Sequence, residues 1–279
     1  MSLAQKQMTD TTTLTKTSYA GKEDWSEFLK NGKTLDNVPY HTSWAVLFAL
    51  LRKRNKFYQI SRDIEQELKQ NKHQRIYPKP EYVFSAFMIT PARDVKVVFL
   101  GQDPYFKSEY DLESRDHCPQ AMGMSFSVPS GITVPSSLDN IYANLVKYGH
   151  IDSKPRDGNL WFWAAQGCLM LNTALTVKHD DKLSHSGLWK WMTDEMIKYL
   201  SDNFDDIVFV LWGGHAYSKI DLIDQDRHHT VVSSHPSGLS CAKPFRAFPA
   251  FNNNDHFGQI NDFLRESGKE EIVWGFKSN

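Results

Sequence analysis

No apolar run in the 279-residue chain approaches the roughly 18–20 residues that cross a bilayer, which argues against a membrane-spanning helix. The amino terminus lacks the charged-then-apolar layout of a secretory signal, so the expected location is intracellular, with nucleus and cytoplasm both open. Cysteine is scarce. Cys118, Cys168 and Cys241 are odd in number, widely scattered and form no CxxC pair, so neither a disulfide framework nor a thiolate zinc site is indicated. Net charge is only -1; no global basic field advertises a nucleic-acid partner, and any DNA-binding surface must be local. There is no G-x-S-x-G elbow, which disfavours a generic α/β hydrolase. There is also no internal repeat and no composition break, so one domain is expected over 24–279. Residues 1–23, rich in Thr, Lys, Gln and Ser and without an apolar period, are expected to form a disordered leader.

What the chain does have is alternation. Val95 to Phe106 reads VKVVFLGQDPYF, a β-branched run that ends abruptly in Gly-Gln-Asp-Pro-Tyr. A run of that length bounded by Gly and Pro predicts a strand covered on both faces, the interior of a parallel sheet. Leu169–Leu171, Ile207–Trp212 and Thr230–Val232 have the same character, and Ser125–Val128 is a shorter strand candidate. Between them run helical stripes: Phe57, Ile60, Ile64, Leu68; then Leu138, Ile141, Tyr142, Leu145, with Ser136 or Ser137 as cap. Leu188, Met192, Met196, Leu200 and later Phe257, Ile260, Leu264 continue the series. Lys107–Cys118 is polar and aperiodic and is expected to be a long loop. The pattern predicts an α/β fold: a single-domain, parallel four-stranded sheet with helices on both faces.

Open parallel sheets bind ligands beyond the carboxyl ends of their strands. Here the four buried runs end in Gly101-Gln102-Asp103, in Asn172, in Gly213-Gly214 and, through two serines, in His235-Pro236. Each has an ordinary explanation taken alone: a turn pair, a cap, a tight turn, a hydrogen-bonded histidine. Together they bring an acid, a carboxamide, a glycine turn and an imidazole to one sheet edge. That placement points to a hydrolase or transferase site.

The strings GQDPYF, GMSFSV, VPSSLDNIY, LMLNTALTV, VFVLWGGHA and HHTVVSSHPSGLS, in that order, closely resemble the uracil-DNA glycosylase superfamily, in its uracil-excising branch. The likeness runs from about Trp44 to Trp274. It implies a metal-independent, cofactor-free enzyme that extrudes uracil from single- or double-stranded DNA and hydrolyses its glycosidic bond for base-excision repair. It also implies a monomer with no membrane partner. By that resemblance Asp103 positions water and stabilises the sugar cation, and a neutral His235 donates to uracil O2. Asn172 reads the O4 and N3–H edge, Phe126 stacks on the base, Tyr105 fills the space beside C5, and Gln102 lines the pocket through its backbone. Leu239 matches an apolar wedge, while Ser136, Ser137, Gly213, Gly214, Ser237 and Lys243 match the loops that grip the DNA backbone. Lys178, Lys182 and Arg246 are further candidates for a local positive field.

Some positions depart from the family pattern. Phe106 replaces the usual histidine, Gly214 a common serine and Lys243 a common arginine, and the 107–120 loop looks long. The main rival is a module that kept DNA binding without turnover; Asp103, Asn172 and His235 are all present, which favours the enzyme.

Overall fold

The computed structural model of the chain describes residues 15–20 and 22–275. Its centre is a four-stranded parallel sheet of β2 (Val97–Gly101), β5 (Cys168–Asn172), β7 (Val208–Trp212) and β8 (His229–Ser233), in the spatial order β5-β2-β7-β8. Every residue of β2, β5 and β7 is buried, which a period-2 strand achieves only when both faces are covered. The helices around it are α1 (Lys16–Ala20), α2 (Trp25–Lys30), α3 (Ala45–Arg52), α4 (Asn55–Gln70), α5 (Ser85–Ile89), α6 (Ser136–Lys147), α7 (Trp161–Ala164), α8 (Ser186–Asn203), α9 (Gly213–Tyr217) and α10 (His256–Glu266). The stripes expected for α4, α6, α8 and α10 are among their buried residues, except that Leu188 at the start of α8 is only half-buried and Trp189 takes the core position. From β2 the chain proceeds to β5 on one side and then to β7 on the other. That reversal opens a crevice at the carboxyl edge, and the pairing of Gly101 with Asn172 sets the two strand ends level.

Three expectations need correction. The stretch 107–118 is not an irregular loop: β3 (Ser108–Asp111) pairs antiparallel with β4 (Asp116–Pro119). Ser125–Val128 is not a strand but a turn; Phe126 takes a left-handed φ of 62°. Neither Ser136 nor Ser137 caps α6, since both lie inside it and Pro135 occupies the cap. Proline suits that place because the first helical turn leaves amides unpaired in any case.

Within the stretch expected as a leader, Lys16–Ala20 forms a short helix, α1, with Tyr19 and Ala20 buried. The Tyr19 hydroxyl donates to the Ala121 carbonyl at 2.6 Å and accepts from the Lys79 amide at 3.1 Å. One well-placed tyrosine anchors a segment too short to show a period. Residues 1–14 lie outside the described residues. Two small sheets complete the fold: β3 with β4, and β1 (Ile76–Tyr77) with β6 (Val177–Lys178).

Candidate active site

A cavity of about 550 Å³ opens at the carboxyl edge of the sheet. Gln102, Asp103, Tyr105, Phe126, Ser136, Ser137, Asn172, Gly213, Gly214, His235, Ser237 and Leu239 all line it. Lys243 does not: it is exposed, on the turn after Ser240. Of the other basic candidates only Lys182 reaches the wall. Lys178 is tied to Glu67 at 3.2 Å, and the Arg246 guanidinium lies over the Tyr217 ring at 4.8 Å.

Local backbone chemistry explains the convergence. Gly101 must be glycine, because a Cβ there would stand 2.1 Å from the Asn172 Oδ1. The carbonyls of Gly101 and Gln102 accept from the amides of Thr173 and Ala174, at 3.0 Å each, which fastens the β2 turn to the β5 turn. Gly213 has a φ of 84°, and a Cβ on it would meet the His235 Cβ at 2.8 Å. Only glycine fits both the angle and the gap. Asn140 donates to the Pro236 carbonyl at 2.7 Å, so α6 holds the loop after β8.

Asp103 accepts a hydrogen bond from the Leu183 amide at 2.8 Å. Burial pushes its pKa up, against the pull of that amide and of the Lys182 and His215 charges. His235 is driven the other way, to about 4, by burial first and then by Lys182 and His215. Its Nδ1 accepts the Ser237 amide at 3.0 Å. An imidazole that accepts at Nδ1 and stays neutral carries its proton on Nε2, so Nε2 is the free donor.

Asn172 is buried, yet its amide makes no hydrogen bond among the described residues; it offers the pocket a donor and an acceptor side by side. The Phe126 ring packs against Trp212, with centroids 5.6 Å apart, and lies 6.2 Å from the His235 ring. The Tyr105 hydroxyl donates to the Phe126 carbonyl at 3.2 Å, which locks the two rings together. The left-handed backbone at Phe126 costs about 1–2 kcal/mol, strain of the kind that surrounding contacts hold in place at functional sites. Leu239, by contrast, is 87% exposed at the rim.

Phe106, where the resemblance expects histidine, packs with Tyr105 against Tyr77, Ala121 and Val177 at the cavity edge. Sequence reasoning did not single out His215 or the Leu183 amide. A backbone donor has no side-chain signature, and His215 was one letter within a glycine-turn motif.

The fold agrees with that of known proteins. The model of the Uracil DNA glycosylase superfamily matches residues 87–265. A protein of Helicobacter hepaticus named Uracil-DNA glycosylase is 43% identical over 206 residues, 74% of this chain and 83% of its own length. One of Acanthamoeba polyphaga mimivirus, named Probable uracil-DNA glycosylase, is 36% identical over 264 residues, 90% of this chain and 70% of its own. The crystal structure of mimivirus uracil-DNA glycosylase superposes with a TM-score of 0.84 at 36% identity, covering 91% of this chain and 94% of that one. These likenesses define a DNA glycosylase, a hydrolase of N-glycosidic bonds. The chain belongs to the uracil DNA glycosylase superfamily.

Proposed function

We propose that the chain excises uracil from DNA with Asp103 and His235 as its catalytic pair, leaving an abasic site. The extruded base lies on Phe126, and the C1′–N1 bond breaks as water adds at C1′. The sugar passes through an oxocarbenium-like state while the base departs as an anion. Asp103, ionised, faces the developing cation and holds the water. His235 donates Nε2–H to the oxygen on which the base gathers charge; a neutral donor needs no proton from solvent. Asn172 pairs with the O4 and N3–H edge, and the Tyr105 ring excludes a C5 methyl group.

Ser136, Ser137 and Ser237, with the Gly213–Gly214 turn, grip phosphates through hydroxyls and amides, a grip that requires little net charge. Leu239 fills the gap in the base stack; burying a leucine returns about 1.5–3 kcal/mol toward the cost of unstacking. The proposed substrate is single- or double-stranded DNA and the proposed acting unit is a monomer. The reaction draws on no metal and no cofactor.

The observation that carries this reading is one cavity holding Asp103, an unpartnered Asn172 amide and a neutral His235 with its Nε2 free. The test is release of free base from a uracil-containing oligonucleotide in EDTA, beside thymine and cytosine controls. Uracil alone should be released, and Asp103→Asn should lower kcat by about 10²–10⁴-fold with DNA binding retained. Binding without release by the unaltered protein would make it a DNA-binding module instead.

A further inference from the structure

The β3–β4 hairpin rises from the pocket rim: Lys107 and Gln120, which flank it, both line the cavity and are joined by a 3.0 Å backbone hydrogen bond. Its two faces differ. On one, Glu109 pairs with Cys118, which is fully buried, and the Glu109 carboxylate takes Lys16 Nζ of α1 at 3.1 Å and the Thr133 amide at 3.0 Å. On the other, Tyr110 pairs with His117, ring edge to ring face at 5.4 Å, and Tyr110 stays 50% exposed.

That second face has basic neighbours. Arg75 is exposed and in no ion pair among the described residues. Its carbonyl accepts the His179 amide at 2.8 Å, and the His179 ring meets the Phe106 carbonyl at 3.3 Å. Burial first, and then the charges of Arg75 and His179, hold His117 below its ordinary pKa, against the pull of Asp116. The nearby carboxylates are partly engaged: Asp180 with His179 at 3.2 Å and Asp116 with Lys79 at 3.7 Å. Phe106 and Lys107 join this surface to the pocket without a break.

We propose that the outer face of the β3–β4 hairpin, with Arg75, is a track for the substrate strand as it leaves the pocket. Tyr110 stacks an unpaired flanking base, and Arg75 meets the phosphodiester beyond it. An exposed aromatic ring beside an exposed cation is the arrangement that holds single-stranded nucleic acid. This inference rests on the uracil-excision reading and adds a footprint on one side of the extruded base.

The test compares single-stranded uracil oligonucleotides carrying about two flanking nucleotides with others extended by about ten on the 5′ or the 3′ side, a length exceeding one binding track. Tyr110→Ala and Arg75→Ala should each lower kcat/KM about 10-fold on substrates extended on one of the two sides, and leave the short substrate unchanged. Arg75→Ala should also make the salt dependence on that substrate shallower by about one unit of log–log slope. Thermal unfolding of both variants should match the unaltered protein. Equal loss on short and extended substrates would make the hairpin a structural brace and overturn the track, as would no loss on either. Absence of uracil release by the unaltered protein from the short substrate would overturn the excision reading itself.

Discussion

In the proposed mechanism two side chains set what the pocket does, each through hydrogen-bond polarity. His235 has its Nδ1 filled by the Ser237 amide and its pKa near 4, so it stays neutral across the range in which a free histidine titrates. The charges of Lys182 and His215 act on both His235 and Asp103. The log kcat–pH profile should therefore show no break from His235 near 6.5 and should fall in acid, where protonation removes the Asp103 charge. A break near 6.5 in steady-state kinetics would contradict this. Stability follows the same sign. A depressed histidine pKa contributes stability that is full above 6.5 and is lost as pH falls toward 4. In the same proposal Asn172 sets base choice. Asn172→Asp replaces a donor by an acceptor, so kcat/KM for uracil should drop by about 10²-fold or more while the preference over cytosine narrows. Competing release of the two bases measures both. Unchanged selectivity would remove Asn172 from base reading.

At the scale of elements, the junctions after the strands govern the site. Gly213→Ala should strain a backbone held at φ 84° and press a methyl group into His235. We expect a loss of about 1–3 kcal/mol in stability and at least about 10-fold in kcat, read by thermal unfolding and single-turnover kinetics. An alanine variant with unaltered kcat would show that His235 is not set by this contact. These junctions were legible in the sequence because β2, β5, β7 and β8 are short apolar runs with abrupt polar ends. The β3–β4 hairpin was not. Its strands read SEYD and DHCP, and only one face is buried, against a five-residue helix with no visible period. Ser125–Val128 misled for a different reason. Its residues are apolar enough for a strand, but the Ser125 amide bonds the Met170 carbonyl and Phe126 turns left-handed, which seats the ring under the pocket. The site positions were legible mainly because they recur in a family pattern; physics alone reached only a convergent edge. Lys243, carried over from that pattern, lies away from the cavity.

For the molecule as a whole, a charge of -1 and a pocket wall bearing only two lysines, Lys107 and Lys182, predict a modest response to salt. With Arg75 added, log kcat/KM should fall against log salt with a slope of about -2 to -3, at roughly 0.7–0.9 per phosphate neutralised. A slope steeper than about -5 would require a basic surface beyond the one described. The anchoring of α1 bears on how the protein is handled. Thr15 bridges to Ser130, and the Lys16 amide donates to the Ser130 carbonyl at 2.7 Å, six residues before Ser136 at the pocket rim. An affinity tag or fusion partner placed ahead of Thr15 is thus delivered close to where DNA would enter. Such a fusion acts on local substrate concentration, raising it if the partner is cationic and crowding the strand out if it is bulky.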